Sequence, residues 1–350
     1  MLVAMLATLL VVLAASHLHE RTLGAFTPDE CAQIVSMFET IDAEHDERSV
    51  PLLPNMNDSF AMSRVNRFAS PTDGAFDWVY ERMLKLQPSL GDCLETFKGR
   101  VAFNLLHEFE HGKANAFDWH ADAKPGDGKN RRTNVNVMLS LPGQHFGGGT
   151  LQVGNEEVDS QQGDLVVYAA ALPHRVHPLT WGRRHTLVVA LSGDGPADAT
   201  TAYATSAHGD AVPLGDTMPL GDATPSSPPL PYWRRMEAAF EQLTTGGSPL
   251  ATEPKIHILH GEFLEGLPGR AHDAQRSFCR AYQSTDEARD HANTFFSDGV
   301  AALQQEGGPD LGLADNYLTM AACIEPTHED AAQALQVVRE AIAIRAQNAK

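Results

Sequence analysis

Phe117-Asp118-Trp119-His120-Ala121-Asp122 sets a histidine and a carboxylate two residues apart behind an aromatic lead-in. In an extended backbone residues i and i+2 project from the same face, so His120 and Asp122 can hold one ion. A third donor further along, His174, completes a set of two imidazoles and one carboxylate, which suits non-haem iron(II) and leaves coordination positions open. Metal binding needs neutral imidazoles, so affinity is expected to fall below about pH 6. Spacing alone does not select this triplet, because His208/Asp210 and His328/Asp330 repeat it. His208 is even followed by His260 and Arg270 at separations of 52 and 10 residues, against 54 and 10 for His120, His174 and Arg184. Context selects His120. The decoy starts in a Pro/Gly-rich stretch and ends in a helical-looking one, with no sheet to hold its side chains.

Around the His-x-Asp triplet the sequence has strand texture. Apolar, β-branched runs at 101–107, 133–141, 164–169, 174–179 and 184–191 are separated by Gly- and Pro-rich turns at 124–129, 142–149 and 181–182. Short strands with turn chemistry between them predict a mainly β sandwich or jelly roll. Upstream, Thr27-Pro28-Asp29-Glu30 reads as a helix start, with Thr27 as N-cap, Pro28 in the first turn and Glu30 closing a capping box. A second helix is expected over 77–86. Arg64 and Arg67 read as part of a solvated loop. On the strand over 133–141, Asn134 and Asn136 alternate with Val135 and Val137. They either line the interior or form the polar face of an edge strand.

Residues 23–195 resemble the prolyl-4-hydroxylase-like branch of the 2-oxoglutarate/iron(II) dioxygenases. The resemblance rests on several pieces in order. They are the aromatic lead-in with His120 and Asp122, the turn Phe146-Gly147-Gly148-Gly149-Thr150-Leu151, the strand Gly163-Asp164-Leu165-Val166-Val167-Tyr168, the segment His174-Arg175-Val176-His177-Pro178, and the basic anchor Gly182-Arg183-Arg184-His185-Thr186-Leu187. It implies a double-stranded β-helix (jelly roll) with flanking helices, with His120, Asp122 and His174 as Fe(II) ligands and 2-oxoglutarate and O2 as co-substrates. Ascorbate is the reductant such enzymes can use. Arg184 would clamp the distal carboxylate of 2-oxoglutarate through a bidentate, charge-assisted pair, with Thr186 on the same strand face adding a hydroxyl. Asn134 and Asn136 would lie near the co-substrate, while Arg183 and His185 would point away. The phase of His174 with Arg184 favours His174 over His177 as the distal ligand, and His107, His111 and His145 read as structural. Two departures stand out. Phe109 occupies the place where the family has a tyrosine that contacts the co-substrate, and the anchor is Arg where many members have Lys.

Beyond 195 the texture changes twice. Residues 196–231 are rich in Ala, Thr, Pro and Gly, repeat Pro-Leu-Gly-Asp at 213–216 and 219–222, and read as a linker. Residues 232–350 read as a smaller all-α domain, with helices expected over 234–243, 271–282, 286–304, 311–324 and 329–346. Tyr317, Ala321, Pro326 and Ala331 echo one tetratricopeptide unit, and these helices are candidates for binding a protein partner. At the other end, the apolar run over 2–15 is too short for a comfortable membrane span and is followed by small residues. It reads as a signal peptide over 1–16, with an anchor as the alternative and as the chain's only expected link to a membrane. The expected location is the secretory pathway or outside the cell. There Cys31 could pair with Cys93 and Cys279 with Cys323, the alternative being four buried thiols.

The chain of 350 residues is 43% hydrophobic and 20% charged, with a net charge of -19, which argues against nucleic acid as a partner. The expected activity is hydroxylation of a peptide or protein residue, with release of succinate and CO2. A free amino acid or small metabolite is the alternative substrate, and a non-catalytic binding scaffold the alternative of another class.

Overall fold

A computed structural model describes residues 18–41, 44–51, 59–72, 74–87, 90, 94–111, 116–127, 131–193, 231–305 and 308–348. The leader over 1–16, the linker over 196–230 and the His208/Asp210 decoy lie outside these residues. The described residues fall into two compact units, the first running to Phe240 and the second starting at Glu241. The start of the helix over 231–244 groups with the first unit.

The first unit is built on two antiparallel sheets. Its strands are β1 (His19–Thr22), β2 (Glu44–Pro51), β3 (Ser59–Ala69), β4 (Val101–Glu110), β5 (Phe117–His120), β6 (Arg131–Met138), β7 (Phe146–Gly148), β8 (Leu151–Val153), β9 (Glu156–Val158), β10 (Leu165–Ala169), β11 (His174–Val176) and β12 (Leu179–Ser192). The large sheet runs β1-β10-β6-β12-β4-β3-β2, with β7 also paired to β12, and the small sheet runs β5-β11-β8-β9. This is the jelly-roll arrangement the strand pattern led us to expect. Arg67 lies on β3 and not in a loop, and its guanidinium donates to the Ile41 carbonyl. β6 is an inner strand with Asn134 and Asn136 both buried, so the edge-strand alternative for them falls.

Alternation along β12 fixes what each face does. Leu187, Val189 and Leu191 join Val135, Val137, Leu165 and Val167 in the core under two helices, α1 (Pro28–Phe38) and α2 (Asp77–Leu86). Ile34 and Phe38 of α1 and Val79, Tyr80 and Met83 of α2 fill that core. Thr27 and Glu30 make the reciprocal capping box that starts α1. A short helix, α3 (Leu94–Arg100), leads into β4. The opposite face of β12 carries Arg184, Thr186 and Val188 into a cavity between the sheets.

Cys31 packs on the buried side of α1 as a free thiol, so the Cys31–Cys93 pairing is not made; Cys93 itself is outside the described residues. Burial pushes the Cys31 thiol up to about 11, which makes it inert as a nucleophile at neutral pH.

After α4 (Pro231–Thr244), the second unit is formed by α5 (Pro254–Glu265), α6 (Ala271–Gln283), α7 (Ala288–Leu303), α8 (Leu311–Ile324) and α9 (Glu329–Asn348). Ile258, Ala281, Tyr282, Ala292, Met320 and Ile324 form one core, and Ala302, Ala314, Leu318 and Val338 another. Cys279 of α6 is disulfide-bonded to Cys323 of α8, and Gln283 adds a bond from its side-chain amide to the Cys323 carbonyl. None of the described helices is long and apolar enough to cross a membrane. Closing a 44-residue separation removes chain entropy from the unfolded state worth about 4 kcal/mol in the loop-closure estimate. The double variant Cys279→Ser/Cys323→Ser should therefore lose about 2–4 kcal/mol from the unfolding transition of the helical unit, read as a lower urea midpoint by far-UV circular dichroism; an unchanged midpoint would show that the bond does not constrain this unit.

Candidate metal and co-substrate site

β5 and β11 are neighbours in the small sheet, and their register sets His174 directly opposite His120. Directly opposed residues of an antiparallel pair point to the same face, so the two imidazoles meet, with ring centroids 4.0 Å apart. Each ring is turned by its own backbone. His120 Nδ1 lies 2.8 Å from the Asp118 carbonyl, and His174 Nδ1 lies 2.8 Å from the Leu172 carbonyl. A carbonyl only accepts, so both Nδ1 atoms carry the hydrogen and both Nε2 atoms present lone pairs. Those lone pairs face Asp122, with His174 Nε2 at 3.2 Å from Oδ2 and His120 Nε2 at 4.0 Å from Oδ1. Among the described residues, this is the cluster of His, Cys, Asp and Glu able to hold a metal ion, its ligand atoms all within 4.8 Å of one another. Two lone pairs aimed at a carboxylate repel it unless a cation sits between them, so the donor set fits a bound metal.

Asp122 is itself held firmly. Its backbone N–H donates to the Ala170 carbonyl at 2.8 Å, and its Oδ2 accepts from Asn134 Nδ2 at 2.8 Å and pairs with Arg131 Nη2 at 3.1 Å. Burial raises the Asp122 carboxyl, but the Arg131 guanidinium, joined by His174 and His120 when those rings are charged, outweighs it and holds the group well below the usual range. Asn134 thus lies beside Asp122 and fixes the orientation of its carboxylate. Arg131, which sequence reading missed, does the same from the rim, with its guanidinium 4.9 Å from the centre of the Phe103 ring. The only sequence signal for it is its place at the start of a strand that runs under the cavity.

The cavity has a volume of about 620 Å³ and is lined by His120, Asp122 and His174 together with the more deeply buried Arg184, Thr186, Asn136 and Tyr168. Arg184 is 2% exposed, with the ring centre of Phe109 5.5 Å from its guanidinium carbon and, among the described residues, no carboxylate paired with it. Burial alone pushes its guanidinium down to about 10, so it still carries its charge at neutral pH. Arg184 Nε, Thr186 Oγ1 and Asn136 Oδ1 are buried without a hydrogen-bond partner, and all three residues border the same cavity. Buried polar atoms are almost always paired, so a cation and a hydroxyl left open together describe the seat of an anion with several oxygens. The glycine turn presses on this seat. Gly149 has φ +66°, and a Cβ there would come within 3.1 Å of Arg184 Cδ and 2.8 Å of Leu179 Cδ1.

Phe109 lacks the phenol expected at its position, and a phenol comes from Tyr168, where Asn136 Nδ2 donates to Oη at 3.1 Å. Burial, reinforced by the nearby Asp122 charge, pushes the Tyr168 phenol far above its ordinary value, so it remains a neutral hydroxyl. The other histidines are engaged elsewhere: His177 Nε2 meets Gln152 Oε1 at 3.0 Å, His145 Nδ1 accepts from Leu141 N–H, and His111 Nδ1 meets the Leu179 carbonyl. His107 borders the cavity but is not in the metal cluster. As expected, Arg183 and His185 stay out of the cavity: Arg183 turns outward and pairs with Glu108 and Glu110, and His185 lies half-buried beside Glu108.

Residues 105–191 match the 2OG-Fe(II) oxygenase superfamily, which identifies this segment as an oxygenase domain of the kind its motifs resemble and Fe(II) and 2-oxoglutarate as the groups its site serves. A PKHD-type hydroxylase of Cupriavidus pinatubonensis is 39% identical over 77 residues, 19% of this chain, and the match spans about a third (34%) of that relative's length. Among solved structures, a prolyl-4-hydroxylase of Pseudomonas putida is similar at 16% identity and a TM-score of 0.37, covering 53% of this chain and 98% of that one. The viral collagen prolyl hydroxylase of Paramecium Bursaria Chlorella virus-1 is similar at 13% identity and a TM-score of 0.33, covering 51% and 97%.

A buried arginine without an anion is a liability to the ligand-free protein. Arg184→Met, which keeps the length of the side chain and removes the charge, should raise the unfolding free energy of the metal-free, 2-oxoglutarate-free protein by about 1–3 kcal/mol. Thermal denaturation in chelator-treated buffer checks this, and a lower midpoint would show that the guanidinium is already satisfied without ligand.

Proposed function

We propose that this protein is an Fe(II)- and 2-oxoglutarate-dependent hydroxylase acting on a residue of a peptide or protein. The observation that carries this reading is the pairing of two complementary seats in one cavity. His120, Asp122 and His174 offer a cation site, and Arg184 with Thr186 offers an anion site deeper in the same space. When bound, the iron supplies the redox chemistry that couples decarboxylation of 2-oxoglutarate, to succinate and CO2, with insertion of one oxygen atom into a C–H bond.

The chain's own residues supply placement. His120 and His174 present Nε2, while Asp118 and Leu172 hold the opposite ring nitrogens. Arg184 would take the distal carboxylate of 2-oxoglutarate through charge-assisted hydrogen bonds, with Thr186 donating its hydroxyl. Tyr168 and Asn136 add a neutral donor and acceptor between the two seats. Leu105, Phe109, Val176 and Val188 give that region apolar walls that exclude water. Phe103, Arg131 and Phe68 also border the cavity, and Phe68 is 40% exposed. An aromatic residue at an open rim supports a substrate that enters as a side chain with the rest of its chain outside. The Cys279–Cys323 disulfide and the apolar leader support an oxidising compartment, as in the secretory pathway.

The test is succinate release by the full chain with Fe(II), 2-oxoglutarate and a panel of proline-containing peptides set against free amino acids. Peptide-stimulated turnover is expected, with Asp122→Ala inactive and Arg184→Lys raising the KM for 2-oxoglutarate about 10–100-fold, the loss of roughly 1.5–3 kcal/mol of bidentate pairing. Stimulation by free amino acids alone would overturn the peptide reading, and metal binding without 2-oxoglutarate binding would overturn the enzymatic one in favour of a scaffold.

A further inference from the structure

We propose that Tyr232, which follows the linker and lies outside the segment that matches the oxygenase family, is a positioning residue of the metal site. This rests on the metal-binding reading of the cavity given above. Tyr232 and Trp233 open α4 and are both buried within the first unit. The Tyr232 hydroxyl donates to the Arg132 carbonyl at 3.0 Å and accepts from the Ala171 N–H at 3.3 Å. One hydroxyl has the single donor and the lone pairs needed for both bonds.

From that oxygen, two short routes lead to the ligands. In the first, the Arg132 carbonyl also accepts from Ala170 N–H at 2.9 Å, and the Ala170 carbonyl accepts from the backbone of Asp122 at 2.8 Å. In the second, Ala171 precedes Leu172, whose carbonyl fixes Nδ1 of His174 at 2.8 Å. The turn over 169–172 therefore touches two of the three ligands, and Tyr232 ties that turn to the start of β6.

The rings complete the tie. The Arg132 guanidinium carbon lies 5.0 Å from the Tyr232 ring centre and 4.4 Å from that of Trp233, and the two rings meet edge to face. Arg131, next in the chain, turns the other way into the cavity and pairs with Asp122. The start of β6 is thus held from behind by the two aromatic residues while its inner side chain holds a ligand in front. Partners that orient a metal ligand typically change metal affinity about 10–100-fold when lost, and Tyr232, one bond further out, should sit at the low end of that range.

The experiment measures Mn(II) affinity of the full-length protein by electron paramagnetic resonance of the free ion, for the wild type, Tyr232→Phe and Tyr80→Phe. Tyr80 is a control in the same unit. Its hydroxyl donates to Asn104 at 2.9 Å, in the core under the helices. Tyr232→Phe is expected to weaken Mn(II) binding several-fold to about tenfold, while Tyr80→Phe lowers thermal stability and leaves the affinity unchanged. Wild-type affinity in Tyr232→Phe, or an equal loss in Tyr80→Phe, overturns the proposal. Should Tyr232→Phe not fold, Trp233→Leu is read in its place and by the same rule. Absence of Mn(II) binding by the wild type would instead bring down the metal reading of the proposed function, and the positioning role with it.

Discussion

Two backbone carbonyls determine what this site is able to bind. Each lies two residues before a histidine, Asp118 before His120 and Leu172 before His174, and each accepts the Nδ1 hydrogen of its ring. Left free, a neutral imidazole could place its hydrogen on Nε2 and satisfy Asp122 as an ordinary hydrogen bond. With the hydrogen committed behind the ring, both Nε2 atoms and the carboxylate become donors of electron pairs to a common point. Pairing β5 with β11 brings the same local device in twice, from opposite directions, so that the register of a four-stranded sheet becomes the geometry of a cation site. Arg131 and Asn134 then keep Asp122 ionised and oriented, at the expense of one of its oxygens.

The large sheet solves the complementary problem. β12 must bury one face against α1 and α2, and the two-residue period leaves its other face to the cavity. Leu187, Val189 and Leu191 anchor the strand, which is why Arg184 and Thr186 are carried inside without a protein partner. A long flexible arginine in that position would be free to find solvent if the wall were loose. The glycines over 147–149 let β7 and the following turn approach closely enough to close that wall over Arg184 Cδ. The hydrophobic core thus supports the energetic burden of an unpaired buried charge, and an anion bound there would relieve it.

Sequence made the chemistry legible and much of its support illegible, for definable reasons. His120, Asp122, His174 and Arg184 are readable because a cation seat and an anion seat each call for particular residue types at particular spacings, and strand alternation turns spacing into direction. The Thr27–Glu30 capping box is readable because all of its determinants lie within four residues. β1 is not, because His19–Thr22 has no apolar alternation; it is held by pairing with β10 and by the contact of Arg21 Nη2 with Asp164 at 2.7 Å, more than a hundred residues away. α5 has the opposite fault. Ile256, Ile258, Leu259, Phe263 and Leu264 are buried around most of its circumference, which erases the amphipathic period that would mark a helix. For Asn134 the strand alternation left the interior and an exposed face both open, and its bond to Asp122 was not legible, since that partner comes from a segment outside β6.

The same dependence bears on the start of the helix that follows the Pro- and Gly-rich stretch. A Pro- and Gly-rich stretch records where a chain lacks a core of its own, not where a folding unit stops. At the start of β6, two consecutive arginines face opposite ways. Arg131 is satisfied inside by Asp122, but Arg132 on the outer face meets no acidic partner among the described residues and lies against Tyr232 and Trp233. Two aromatic rings and a phenol hydroxyl cover that face and take up the Arg132 carbonyl. A strand that presents a ligand partner on one side needs something rigid on the other, and alternation forces the two demands onto neighbouring residues. The helix that follows the linker meets the second demand, which is a physical reason for it to fold with the sheet it is separated from in sequence.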